Sequence, residues 1–385
     1  MKTMQKWRLF LMAICALPIM APGVVAADSV KIGMHAPQTG FAAADGNSAI
    51  LGAQLAVEQA NASGGVNGRQ IELIVYDDQA TPKESVPAAT KLASSDRVDA
   101  AISGSYSGAT RAAADVFQSY KIPYISAYAV HPGITQTGDY VFRSSFVGEV
   151  QGRAGAKLIG ERLGVKKVSV LTLKNDFGKS LVAGFTEAAP LFGVDIISEY
   201  EYSIKDRQFG PVIAKIKDDN PEAIYATGYF FTAGPFVSQL RAAGVDALVI
   251  GQEGYDSQKF IEIAGKAANG VIITTSLDRD SDNAETVDFI RRFEAKAGYK
   301  VDMVAASGHT AVKALVEAMR KAGSTERDAV RRMLHEVSIE ASTGTIAFNT
   351  LGEVKKDAQV QIVRDGEWRH HSVISDSVLL APPDQ

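Results

Sequence analysis

Four short polar or aromatic stretches each follow an apolar run, and their side chains suit the holding of a small charged molecule. The segment Ser103 to Thr110 carries several hydroxyls and opens a helical pattern. Hydroxyls beside the free N–H groups of a helix start suit a carboxylate. Ser107 and Thr110 also suit capping of that helix, and the two roles are compatible. Phe177-Gly178 offers an aromatic wall, though a lone phenylalanine there reads equally as core. Tyr229-Phe230-Phe231 places three aromatics at one strand end. Glu253, between Gln252 and Gly254, is a carboxylate able to meet an ammonium; otherwise it is a solvated loop charge. An anion site on one side and a carboxylate with rings on the other fit a zwitterionic amino acid held between them.

Enzyme chemistry lacks its usual residues. Gly178-Lys179-Ser180 resembles the end of a phosphate loop, but Leu173 stands where the first glycine is required. There is no G-x-G-x-x-G, and Gly104-Ser105-Tyr106-Ser107-Gly108 puts tyrosine at the nucleophile position of a serine-hydrolase turn. The adjacent pair His370-His371 has no third ligand in sequence, so neither a metal nor a cofactor is expected. Asp77-Asp78 reads as turn or capping carboxylates rather than a magnesium site.

The elements that must position these loops alternate. Strand-like runs at 30–34, 71–76, 100–102, 123–126 and 140–143 enclose helical patterns at 50–60, 83–94 and 109–120. The same rhythm restarts after 148, with helices at 150–163, 178–191, 209–218 and 233–243. Strands at 168–172, 194–200, 223–227, 247–250 and 271–274 separate them. Helices at 284–297, 304–322 and 327–335 follow, then a β-rich tail at 344–348, 359–363 and 367–369. This pattern predicts an α/β protein of mostly parallel, doubly wound sheets with right-handed crossovers. So many strands divide most naturally into two lobes, with breaks near 143–148 and 276–282. In such sheets ligands sit beyond the carboxyl ends of the strands, where the four loops stand.

The 385 residues include 46% hydrophobic and 22% charged, in the globular range, and the net charge of −4 lacks the basic surplus of a nucleic-acid binder. Lys2, Lys6 and Arg8, an apolar stretch 10–20 and small residues near 24–27 read as an export signal over 1–26. The single cysteine, Cys15, lies inside it, so the mature chain is expected to be a periplasmic, soluble, disulfide-free protein.

Ordered segments along the chain then point to a family. They are Gln38-Thr39-Gly40, Asn67-Gly68-Arg69, Tyr76-Asp77-Asp78, Ser107-Gly108-Ala109-Thr110, Pro123-Tyr124-Ile125-Ser126, Tyr140-Val141-Phe142-Arg143, Asn175-Asp176-Phe177-Gly178 and Gly251-Gln252-Glu253-Gly254. With these the chain, from about 30 to 368, resembles the branched-chain amino acid ABC transporter substrate-binding proteins, the leucine/isoleucine/valine type of periplasmic binding protein. The resemblance implies a two-lobed type I periplasmic binding fold with three hinge crossings. Its lobes would be 27–147 with 277–351, and 148–276 with 352–385. It implies an amino-acid ligand, a branched-chain one first, held by Ser107, Tyr128, Val130, Tyr229 and Glu253, with Ser107 on the carboxylate and Glu253 on the ammonium. It implies a monomer that docks on a membrane permease and does no catalysis. A ligand-sensing receptor subunit, or a binder of a carboxylic acid, amide or urea, is the alternative. Phe177 stands where many members carry tyrosine. Asp45 stands where the family often has an aromatic near the ligand side chain, and a carboxylate there disfavours a purely aliphatic pocket unless it points to solvent.

Overall fold

The computed structural model describes residues 29–384, so the export-signal reading of 1–26 lies outside the described residues. The first half runs β1 (Val30–Ala36), α1 (Ala43–Ala62), β2 (Ile71–Asp77), α2 (Pro82–Lys91), β3 (Ala100–Ser103), α3 (Ser107–Ser119), β4 (Tyr124–Ser126) and β5 (Val141–Arg143). Its five strands are all parallel, in the order β2-β1-β3-β4-β5. Successive residues alternate between faces. Ala100 and Ile102 join the core under α1, while Ala101 packs with Ala89, Ala113 and Phe117 of α2 and α3. Burial on both faces is why these strands read as continuous apolar runs.

The second half runs α4 (Gly148–Lys157), β6 (Lys167–Leu173), α5 (Asp176–Ala188), β7 (Asp195–Tyr202), α6 (Gly210–Asp219), β8 (Ala223–Ala226), α7 (Phe230–Ala242), β9 (Leu248–Gly251), α8 (Gln258–Ala264) and β10 (Ile272–Thr275). Then follow α9 (Ala284–Ala297), α10 (Met303–Ala322), α11 (Arg327–Leu334), the hairpin β11 (Ser338–Ala341) and β12 (Gly344–Ala347), and finally β13 (Ala358–Arg364) and β14 (Glu367–Ile374). The second sheet has the order β14-β13-β10-β9-β8-β6-β7. Its last two strands are antiparallel additions, β13 on β10 and β14 on β13. The periodicity did not reveal β11 or α8, both too short to show a repeat.

After β10 the chain returns to the first sheet. Helix α10 lies along α1 so closely that only glycine fits at the crossing. A Cβ on Gly52 would stand 2.0 Å from the Ala305 carbonyl oxygen, and one on Gly308 2.4 Å from that of Ala49. The chain thus passes between the sheets three times: after β5, after β10 and before β13.

The first and third passages are fastened together. Arg143, fully buried, gives Glu353 two hydrogen bonds of 2.9 and 3.0 Å. Its remaining N–H groups reach the carbonyls of Ala129 at 2.8 Å and His131 at 2.9 Å. The backbone N–H of Arg143 also donates to the Gly352 carbonyl at 2.8 Å. Every nitrogen of this buried guanidinium therefore donates at least one hydrogen bond, which helps such an ion pair to be tolerated.

Candidate functional site

The first sheet reverses its strand order between β1 and β3, and the second between β6 and β8. At such a reversal neighbouring loops diverge and leave a crevice. The two crevices face each other across a narrow cavity of about 20 Å³. The first lobe contributes Asp45, Tyr106, Ser107, Tyr128, Ala129, Met303 and Val304; the second contributes Phe177, Tyr229, Glu253 and Gly254. Six of the eight residues singled out from sequence therefore line one space.

Val130 and Thr110 do not line it. Val130 turns its side chain into the core, and its N–H donates to Ser107 Oγ at 3.3 Å. The Thr110 hydroxyl is 2.6 Å from Ser103 Oγ and donates to the Ser105 carbonyl at 3.2 Å, so its hydrogen bonding is local. Neither Ser107 nor Thr110 caps α3: Tyr106 is the N-cap residue and no side chain caps this end. By contrast α5 is capped by Asn175 and α10 by Asp302. The start of α3 is thus left with orphan N–H groups beside the cavity, the arrangement that attracts an anion.

Three rings close the cleft. Tyr106, from the first lobe, stacks on Tyr229 of the second at 4.0 Å and 8°. Phe177 also stacks on Tyr229 at 4.7 Å and 23°. The Tyr128 hydroxyl donates to the Gly104 carbonyl at 2.5 Å, pinning the β3 and β4 loops together. At the rim, Arg111 of α3 pairs with Asp176 of α5 at 2.8 Å.

Glu253 follows β9 and is 3% exposed. Its Oε2 accepts only a long 3.4 Å bond from Ser276, and among the described residues Oε1 has no donor. Burial pushes its carboxyl up to about 8, partly offset by the positive charge of Lys356. Lys356, in the third passage, is itself buried with no hydrogen-bond partner among the described residues, and burial pushes it down to about 8. A carboxylate so placed lacks a direct cation partner, and burying it uncompensated is costly.

Asp45 is the second cavity carboxylate. It sits in the first turn of α1, is 5% exposed, and accepts a 2.7 Å bond from the Tyr106 hydroxyl. Burial, reinforced by the charge of Asp302, pushes it up to about 8. It does not point to solvent.

Sequence reasoning did not single out Tyr106, Ala129, Gly254, Met303 and Val304 as lining residues. Tyr106 had a usable signal: a large ring between two serines in a loop at a strand's carboxyl end, where ligands bind. Met303 and Val304 had none, since they reach the cavity only through the return of α10.

The other sequence candidates are structural. Asp77 accepts the backbone N–H groups of Gln38 and Gln79, and Asp78 is 2.6 Å from His35 Nδ1 and accepts the Ala80 N–H. Both act as turn carboxylates. His370 pairs with Asp278 at 2.8 Å. Among the described residues no group of three or more His, Cys, Asp or Glu is placed to hold a metal, and no helix is long and apolar enough to cross a membrane.

Comparison with known proteins places this architecture. A family model described as periplasmic binding protein matches residues 29–367. The leucine-, isoleucine-, valine-, threonine- and alanine-binding protein of Pseudomonas aeruginosa is 30% identical over 348 residues, covering 90% of this chain and 92% of that one. The branched-chain amino acid transporter substrate-binding protein LivJ of Streptococcus pneumoniae, solved with isoleucine, superposes with a TM-score of 0.84 at 26% identity, covering 90% of this chain and 99% of that one. The leucine-binding protein LivK of Thermotoga maritima gives 0.83 at 27%, covering 90% and 98%. The matched span, the two facing sheets and these relatives together show that the chain belongs to the periplasmic binding protein family, on the branch of its leucine/isoleucine/valine-binding members.

Proposed function

We propose that this protein is the extracytoplasmic solute-binding component of an ABC importer, capturing an α-amino acid between two closing lobes. The observation that carries the reading is one cavity with an uncapped helix start and Ser107 on one lobe and a buried Glu253 with no direct ion-pair partner on the other. The α-carboxylate would take the N–H groups of α3 and the Ser107 hydroxyl. The α-ammonium would pair with Glu253, converting an isolated buried acid into an ion pair. Ligand contacts on both lobes exist only in the closed form, so binding shifts the open–closed equilibrium toward closure.

The lobes we assign are 27–147 with 277–351, and 148–276 with 352–385. Their support is that each sheet draws its strands from one of these sets. Residues 1–26 would direct export to the periplasm. The mature monomer would deliver its ligand to a membrane permease and catalyse no reaction. Branched-chain amino acids are the ligands named for the relatives and the first to test.

A second reading, an aromatic carboxylic acid without an amine, draws on the three rings Tyr106, Tyr229 and Phe177. It leaves Glu253 without a partner.

The test is a thermal-shift screen of the mature protein, unfolded and refolded to strip carried-over ligand, against the amino acids and simple carboxylic acids. A true ligand at 100 times its dissociation constant adds about 2.7 kcal/mol of stability. Stabilisation by at least one amino acid is expected. Stabilisation by amine-free acids alone would overturn the reading.

A further inference from the structure

We infer that Asp45 makes this cavity select an amino acid whose side chain carries N–H or O–H donors, in preference to a purely aliphatic one. The inference rests on the α-amino-acid reading above and adds the identity of the side chain.

Asp45 lines the cavity beside Met303 and Val304, while Glu253 is contributed by the opposite lobe. The α-ammonium has Glu253. An amino acid with an aliphatic side chain therefore leaves Asp45 as a second acceptor with no donor beyond the Tyr106 hydroxyl.

Asp45 is also held in place. It lies in the first turn of α1, and α1 is locked to α10 by the close approach of Gly52 to Ala305 and Gly308 to Ala49. One turn further on, Ser48 donates to Asp302 at 2.8 Å. The Tyr106 hydroxyl holds Asp45 Oδ2, and Tyr106 in turn is stacked on Tyr229 across the cleft. A carboxylate fastened in this way does not swing out to water when the lobes close.

The surrounding charge points the same way. Among the described residues no lysine, arginine or histidine forms an ion pair with Asp45; the charged groups that act on it are Asp302 and Asp256, both acidic. Asp256 is paired with Arg279, whose guanidinium also donates to the Val301 carbonyl. Asp302 spends its oxygen on Ser48 and on the Ala305 N–H. Asp45 Oδ2 has the Tyr106 donor, and no second donor reaches the carboxylate among the described residues. Methyl groups packed over it would remove its remaining water and return nothing. An ammonium, guanidinium, amide or hydroxyl would supply the missing donor.

The test is titration calorimetry of ligand-stripped mature protein with matched pairs: threonine against valine, glutamine against methionine, lysine against norleucine. We expect the donor-bearing member of at least one pair to bind ~100-fold tighter or more, since a site built around a buried acceptor rejects an analogue that cannot satisfy it. Asp45→Leu should bring that preference down to within about tenfold, and Asp45→Asn, which keeps the shape, should give an intermediate ratio. Thermal melts of both variants without ligand check that they fold, and the wild-type panel decides the matter without them. Leucine, isoleucine or valine binding as tightly as any donor-bearing amino acid would overturn the inference while leaving the amino-acid reading intact. Failure of every amino acid to bind would overturn that reading, and this inference with it.

Discussion

Two buried acidic groups, Glu353 at the hinge and Glu253 in the cavity, are almost equally hidden from water and yet differ in every contact. Glu353 receives two charge-assisted bonds from Arg143 and another from Thr135. Glu253 receives one long bond from a serine and leaves an oxygen without a donor among the described residues. A fold stabilises the first arrangement by itself. On the reading proposed above, the second is completed by a cation from outside. The contrast separates a charge paired within the chain from one left without a direct partner.

The largest effect is expected at the hinge. Arg143→Met strands Glu353 in the interior and should destabilise the protein by about 3–5 kcal/mol in urea unfolding. The double variant Arg143→Met with Glu353→Leu should recover most of that loss, because a pair replaced by apolar groups leaves no orphan charge. A double variant as unstable as the single one would show that the carbonyl bonds to Ala129 and His131, rather than the ion pair, carry the role.

Glu253→Gln should behave in the opposite manner. Binding of an amino-acid ligand should weaken by roughly 3 kcal/mol, because the buried ammonium loses its counter-ion. Unfolding without ligand should change little, because Glu253 has no ion pair or short hydrogen bond to lose. Loss of stability together with binding would make Glu253 a structural residue.

The pH dependence follows from the same burial. Both Glu253 and Asp45 are raised to about 8 from ordinary carboxyl values of 4.5 and 3.8. A group raised in the folded state binds protons there that the unfolded chain has already released. Its stabilising contribution is full below about pH 4 and is lost as pH rises through about 8. Ligand-free stability should therefore decline across that window, and Glu253→Gln with Asp45→Asn should flatten the slope. Below pH 8 the binding of an ammonium-bearing ligand should release protons, seen as a calorimetric heat that varies with the buffer's ionisation enthalpy. A slope identical in wild type and double variant would contradict these shifts.

The smallest effect belongs to the rim. Arg111 and Asp176 bridge the lobes, but both are substantially exposed, so Arg111→Ala should change ligand affinity by less than about 1 kcal/mol.

Much of this contrast could be read before the fold was known, and for a physical reason. Parallel strands buried on both faces leave apolar runs that stand out, and ligand loops at their carboxyl ends follow from topology. Ser107, Phe177, Tyr229 and Glu253, which line the cavity, were singled out in that way. Asp45 was harder. Helix α1 begins at Ala43, ahead of the apolar spacing that starts at Ile50, because its early turns face the cavity and α10 rather than one amphipathic side. Arg143 was visible only as the end of a strand, since its partner lies 210 residues away. Lys356 and Met303 belong to the same class: their positions depend on how the chain returns between the lobes, which no local pattern records.

The most direct test of the account is calorimetric. Ligand-stripped protein, wild type and Glu253→Gln, would be titrated with the tightest-binding amino acid and with its 2-hydroxy analogue, which replaces the ammonium by a hydroxyl. The account predicts that wild type binds the amino acid roughly 100-fold or more tightly than the analogue, a difference of about 2.7 kcal/mol, and that Glu253→Gln largely erases the difference. Equal affinity of wild type for the two compounds would contradict it.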